Sequence, residues 1–360
     1  MPKVLILANS SSGLYGFRNE LVLELLKEYE VYASLPDKTN NAELEQEGCH
    51  IIETPINRRG VNPAEDLKLF RSYLHLLDTI KPDVVLTYTI KPNVYGGYAC
   101  RTKKIPYLAN ITGLGSALEN PGILQKITKI LYKAGLKKAN TVFLQNPYNL
   151  DFFEKNRMTN APKVLLPGSG VNVDRFTAGE WPKEKTAFVF ISRVMREKGI
   201  EEYLACAEVI HADSPEIEFH VLGYCQEEYE QRLRELDQKG IIRYHGNVLD
   251  VRPYLAEVKC LIHPSFYPEG MSNVCLEAAA CARAVITTDR PGCRETVMDG
   301  HTGFIVPVQD KEELIAAVRK FLAMTDEQQQ AMGMAGRKYV EEYFNRQKVV
   351  DAYMTRIREI

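Results

Sequence analysis

The sequence predicts an α/β protein of two tandem doubly wound domains facing a cleft, and three observations carry that prediction. Short continuous apolar runs alternate with longer amphipathic stretches along the whole chain. The alternation stops at a glycine- and proline-rich stretch, residues 167–185, and then restarts. The length, 360 residues, suits two domains of roughly 100–200 residues each. Strands that are apolar throughout, rather than alternating, belong to parallel sheets covered on both faces.

In the first half the strand candidates are residues 4–8 (VLILA), 31–35, 50–54, 83–88, 106–111, 141–145 and 164–167, with helices expected over 17–28, 63–80 and 121–138. The second series opens with the strand 187–192 (AFVFIS), a helix over 199–211 and the strand 217–223. Further strands follow near 241–244, 259–263, 284–287 and 303–306. The first domain is therefore placed at 1–175 and the second at 176–344, with 167–185 as the linker. Residues 345–360 form a final amphipathic helix, expected to cross back and pack on the first domain. In such sheets ligands bind beyond the carboxyl ends of the strands, so the loops after strands are where chemistry is sought.

Composition narrows the classes. A formal net charge of −2 gives no global basic field for nucleic acid. No apolar run approaches the roughly 20 residues of a membrane span. The start, MPKVLILANSS, enters a strand directly and shows no cleavage site. The eight cysteines include no CxxC pair, so they are read as free thiols in a reducing cytoplasm and no structural zinc site is expected. His211, His245 and His263 likewise lack metal-ligand spacing.

Three loops have the makings of phosphate sites. NSSSGLYGFRNE places Gly13 and Gly16 after the first strand, where a helix N-terminus can present amides to an anion. A plain tight turn fits equally, since GxGxxG is absent, and Arg18 is either a nearby cation or a surface residue. ISRVMREKGIEEYL sets Arg193 past a strand end and Lys198 before a helix. Two cations so spaced clamp a diphosphate, or are solvated loop charge. LIHPSFYPEGMSNVCLEAAACA reads strand, loop, helix, with Glu269 in the loop and Glu277 among alanines. Ser272 or Asn273 can cap that helix. The amides of Gly270, Met271, Ser272 and Asn273 can then meet phosphate or sugar oxygens, and a buried Glu277 would need a partner such as a ribose diol; a partly exposed helix-face glutamate and a loop glutamate fit equally.

The Glu269/Glu277 pair after HPSFYPEG, the upstream SR…KG loop, and GHTGFIVP after PGCRE together resemble the retaining GT-B glycosyltransferases of family 4, over essentially the whole chain. ANSSSGLYGFR, ANITGLGSALEN and LLPGSGVNVDRF are similar to the bacterial branch that builds capsule, exopolysaccharide or lipid-linked oligosaccharide. The resemblance implies two Rossmann-like domains and transfer of a hexose or N-acetylhexosamine from a UDP-sugar to an undecaprenyl-diphosphate-linked saccharide. It implies that Arg193 and Lys198 neutralise the leaving diphosphate, with Glu269 on the donor sugar and Glu277 on the ribose. The amides of Gly270 to Asn273, Gly13 and Gly223 would complete the donor site. Metal-independent catalysis with no cofactor is expected, because the two cations meet the leaving charge. The competing readings are a nucleotide-sugar 2-epimerase and a non-catalytic nucleotide-sugar-binding subunit.

On the acceptor side, Lys91 in TYTIKPNVYG and Thr112 and Gly113 in the loop 111–122, expected to be flexible, follow strand ends. With Arg18 they are the acceptor candidates, Lys91 for its diphosphate. The helix over 121–138 carries Lys126, Lys129, Lys133 and Lys137 beside Ile123, Ile127, Ile130, Leu131 and Ala134. One basic stripe beside one apolar face suits an anionic membrane surface, or a core-facing helix with a solvated edge. A peripheral protein at the inner face of the cytoplasmic membrane is the resulting expectation.

Overall fold

The computed structural model describes residues 1–57 and 62–360. The chain forms two compact units, Met1–Gly170 with Arg346–Ile360, and Val171–Asn345. Each is built on one parallel sheet.

In the first unit the strands are β1 (Lys3–Leu7), β2 (Glu30–Leu35), β3 (His50–Glu53), β4 (Val84–Tyr88), β5 (Tyr107–Ile111), β6 (Thr141–Leu144) and β7 (Lys163–Leu165). They lie in the order β3-β2-β1-β4-β5-β6-β7. The order reverses between β1 and β4, which pair at Val4↔Val84, so the loops after these strands diverge there and leave room for a ligand. Around the sheet run α1 (Ser11–Leu26), α2 (Asn41–Gln46), α3 (Pro63–Ile80), α4 (Gly97–Lys103), α5 (Gly115–Glu119), α6 (Ile123–Gly135) and α7 (Pro147–Lys155). Starts follow side-chain caps: Asn62 accepts from Ala64 N with Pro63 at the first turn of α3, and Asn146 does the same for α7 ahead of Pro147.

The second unit holds β8 (Ala187–Ile191), β9 (Glu218–Leu222), β10 (Arg243–Gly246), β11 (Cys260–His263), β12 (Ala284–Thr288) and β13 (Gly303–Val306), ordered β10-β9-β8-β11-β12-β13. Its helices are α8 (Ile200–Asp213), α9 (Glu230–Gln238), α10 (Arg252–Glu257), α11 (Asn273–Ala280), α12 (Lys311–Leu322) and α13 (Asp326–Tyr343). Thr325 and Gln328 close a reciprocal capping box at the start of α13.

The last helix, α14 (Arg346–Arg358), is part of the first unit. Val349, Val350, Tyr353, Met354 and Ile357 share one core cluster with Val4 and Ile6 of β1 and Leu21 and Val22 of α1. The Tyr353 ring lies 4.1 Å from that of Phe143 on β6. Buried Arg346 donates to both Glu20 carboxylate oxygens and to the carbonyls of Gly16 and Gly170.

Three local expectations change. Helix α1 begins at Ser11 rather than near 17, because Ser10 caps it by accepting from Gly13 N. The stretch 111–122, expected as a free loop, contains α5. The stretch from 171 onward is not a slack linker. Val171 pairs with Asn345, Phe176 and Trp181 are buried, and Arg337 donates to the carbonyls of Val173 and Phe176. The division therefore falls after Gly170, where the sequence placed it after residue 175. Aperiodic apolar anchors do this, and periodicity does not register them.

Candidate active site

At the carboxyl end of the second sheet, two loops meet. After β8 comes Arg193, then a tight turn over Arg196–Lys198 that leads into α8. After β11 the chain runs through Pro264 to Glu269 and enters α11. Phe266 N donates to Glu197 O at 2.9 Å, which ties the second loop to the first turn. This closes the sequence gap between the two motifs.

Lys198 is buried, and its ammonium is ion-paired with Glu269 Oε1. Tyr267 lies under both cations: the Arg193 guanidinium is 5.2 Å and the Lys198 ammonium 4.7 Å from its ring centre. A ring face attracts cations without neutralising them. Gln226 Oε1 accepts from Arg193 at 2.5 Å and fixes its reach. Burial pushes the Glu269 carboxyl up, but Lys198, with His263 and Arg193, outweighs it and holds the group below the ordinary carboxylate range. His263, at the end of β11, is 1% exposed, and neither ring nitrogen has a hydrogen-bond partner among the described residues. Burial, reinforced by Lys198, lowers its pKa to about 4, so it is neutral near pH 7. Burial pushes the Cys275 thiol to about 11 and Cys293 well above its usual range, so neither is a nucleophile at neutral pH.

Gly292 (φ +88) packs against this loop: a Cβ there would lie 2.8 Å from Glu269 Cβ and 3.0 Å from the Glu269 and Gly270 carbonyl oxygens. Its own carbonyl accepts from Ser272 N at 2.7 Å. Of the four amides expected to face a ligand, that of Ser272 is therefore spent inside the fold. Ser272 precedes α11 but makes no side-chain cap. Asn273 Oδ1 is buried without a partner among the described residues, while Met271 belongs to the core. Glu277 is half-buried on α11 beside the buried Ala278, Ala279 and Ala280. Gly223 follows β9 at φ +145, and a Cβ there would lie 1.7 Å from Ser192 O. Only glycine lets that loop lie against the one bearing Arg193.

The first unit presents a different kind of strand end. Gly13 lies inside the first turn of α1, and its N–H is taken by Ser10 Oγ at 3.2 Å, so the amide expected to face a diphosphate is committed to the cap. Arg18 stacks 4.4 Å from the ring centre of Tyr88, the last residue of β4, and donates to Gly13 O. Lys91 is ion-paired with Asp66 at 2.6 Å, its side chain 13% exposed, and Tyr95 donates to the same carboxylate at 2.8 Å. Thr112 and Gly113 follow β5, the strand that pairs with β4 through Tyr88↔Asn110. On α6, Thr128, Tyr132 and Gly135 face inward, while Ile123 (78%) and Ile130 (66%) stand exposed with Leu124, Ile127 and Leu131. Lys126 and Lys133 are exposed beside them and Lys129 lies over the Phe152 ring, while the helix, expected to run to 138, ends at Gly135 and leaves the exposed Lys137 in the turn beyond it. The sequence reading missed Tyr267, Gln226 and Gly292. Tyr267 stands in the quoted HPSFYPEG, but nothing in the string marks it as a platform for cations.

Two parallel-sheet units of this topology define the GT-B fold, and solved structures agree. HepE of Anabaena, in complex with UDP and glucose, matches with a TM-score of 0.81 at 15% identity over the whole of both chains. A glycosyltransferase of Rickettsia africae matches at 0.80 and 19% identity, over 100% of this chain and 99% of that one. Residues 3–146 match the glycosyl transferase 4-like family model, and residues 185–324 match glycosyl transferases group 1. Each unit thus carries a glycosyltransferase domain, and the chain is a glycosyltransferase. It is 24% identical, over 86% of each chain, to the N,N'-diacetylbacillosaminyl-diphospho-undecaprenol alpha-1,3-N-acetylgalactosaminyltransferase of Campylobacter jejuni. It is 23% identical to the capsular polysaccharide biosynthesis glycosyltransferase CapM of Staphylococcus aureus, over 96% of this chain and 94% of that one.

Proposed function

We propose that this enzyme transfers a hexose or N-acetylhexosamine from a UDP-sugar to an undecaprenyl-diphosphate-linked saccharide in bacterial surface-glycan assembly, with retention at the anomeric carbon. The observation that carries the reading is the pair of cations, Arg193 and Lys198, held on the Tyr267 ring beside Glu269. Breaking the anomeric bond of a nucleotide-sugar leaves negative charge on a diphosphate and positive character on the sugar. Fixed cations meet the first without reorganising, which is how such sites lower the barrier, and they supply this charge without a metal. Glu269, held ionised, faces the second and binds donor hydroxyls; Glu277 takes the ribose. The donor class draws further support from the UDP-glucose complex of HepE, and the acceptor class from the name of the Campylobacter relative.

Retention fits front-face attack, in which the departing phosphate oxygen takes the acceptor proton and no enzyme carboxylate bonds to the sugar. Screening a panel of UDP-sugars with a polyprenyl-diphosphate-linked N-acetylhexosamine tests the proposal. UDP release that requires acceptor is expected. Isomerisation of donor alone, or UDP binding without release, contradicts it and selects the epimerase or the binding subunit.

The face of α6 is assigned to the membrane surface on which such an acceptor resides. Exposed isoleucines flanked by lysines match an interface of acyl chains and anionic headgroups. No helix among the described residues is long and apolar enough to cross a membrane. Changing Lys126, Lys133 and Lys137 to glutamate is expected to abolish flotation with vesicles containing anionic lipid; undiminished flotation contradicts the assignment.

A further inference from the structure

Thr89, the first residue after β4, has φ +72, a conformation that β-branched residues almost never adopt. Its Oγ1 is buried, with no hydrogen-bond partner among the described residues. A buried hydroxyl is normally paired, and strain of this kind persists only where the surroundings impose it and some use maintains it.

The surroundings do impose it, and without help from the hydroxyl. Thr89 O accepts from Asn93 N at 3.0 Å. Asn93 Oδ1 accepts from Thr87 Oγ1 at 2.6 Å, and its amide group donates to Asn110 O at 2.8 Å. The backbone then makes a five-residue π turn over Pro92–Gly96, a form that recurs at functional sites. The position is the point where the sheet order reverses, since β4 is the neighbour of β1. The acceptor candidates also gather around it. Arg18 stacks on Tyr88, the preceding residue. Ile90, the following residue, lies 3.7 Å from where a Gly115 Cβ would stand, in the segment that begins with Thr112 and Gly113.

We propose that Thr89 is an acceptor-binding residue, its Oγ1 exchanging a hydrogen bond with a hydroxyl of the acceptor saccharide. This rests on the acceptor-dependent transfer proposed above. A sugar hydroxyl suits the site, because the group that stands unpaired there, among the described residues, is a neutral hydroxyl rather than a cation. The strand end offers a neutral donor and acceptor in one group.

The test is a substitution series in the full-length enzyme, with the polyprenyl-diphosphate N-acetylhexosamine as acceptor. Thr89→Val keeps the β-branched shape and removes the hydroxyl; acceptor kcat/KM is expected to fall about tenfold. Thr89→Ser is expected to retain wild-type values. Thr89→Gly relieves the backbone and lacks the hydroxyl, so it is expected to match the loss in Thr89→Val while melting no lower than wild type. UDP affinity is expected to be unchanged in all three. Wild-type acceptor kcat/KM in Thr89→Val, or an equal loss in Thr89→Ser, overturns the inference alone. A wild-type chain that transfers to no acceptor overturns the proposed function, and the inference with it.

Discussion

The two units hold the charged groups near their strand ends by similar devices and differ in what stands beside them. In the second, charged side chains carry the strand ends: Lys198 paired with Glu269, Arg193 beside them, and Tyr267 beneath. In the first, each cation is likewise held by a carboxylate or a ring. Lys91 is closed by Asp66, Arg18 lies against Tyr88, and Arg346 is locked onto Glu20. What remains unpaired at β4, among the described residues, is the buried Thr89 hydroxyl. The contrast fits the chemistry assigned to each unit. A departing diphosphate needs fixed positive charge, whereas selecting a sugar hydroxyl needs neutral groups held in place.

The largest effect expected from breaking this contrast is at Glu269. Because Lys198 is buried and depends on that carboxylate, Glu269→Ala strands a buried ammonium, and Glu269→Gln is the cleaner probe. Its kcat is expected to fall by about 10²–10³-fold with donor binding largely retained. Near-normal turnover in steady-state assays excludes Glu269 from the chemistry.

A second, smaller effect concerns stability. With its pKa lowered to about 4, His263 resists protonation in the folded state, while the unfolded chain takes up the proton near its ordinary value. Stability is therefore full above about pH 6.5 and is lost as pH falls towards 4, by about 3 kcal/mol at most. Glu269 acts in the same direction at lower pH. Its depressed pKa contributes stability above its ordinary range, and that is lost as pH falls through the folded value. His263→Leu is expected to flatten the melting-temperature profile between pH 6.5 and 4 and to cost little at pH 7, where both ring nitrogens already lack partners. An unchanged profile shows that His263 does not set the acid limb of stability.

The same contrast explains what could be read from the chain. Charged residues at strand ends are visible as letters, so Arg193, Lys198 and Glu269 were legible before their geometry was known. The sheets were legible because their central strands, such as β1, β4, β8, β11 and β12, are mostly apolar and buried. Tyr267 was visible as an aromatic but not as a platform, since its role exists only once two loops fold over one ring. The strain at Thr89 is a dihedral and leaves no trace in composition. The Gly13 amide was misjudged because Ser10, three residues earlier, competes for it. Val171, Phe176 and Trp181 moved the unit boundary, because a core can recruit apolar residues with no period.

We hold, as proposed above, that Arg193 and Lys198 on the Tyr267 ring bind the donor's diphosphate. Calorimetric titration of UDP and of uridine into the wild-type chain and Arg193→Gln tests it most directly. UDP affinity is expected to fall by at least about tenfold, the worth of one charge-assisted contact, with uridine affinity unchanged. Equal UDP affinity in the two proteins, or a parallel loss for uridine, contradicts the claim.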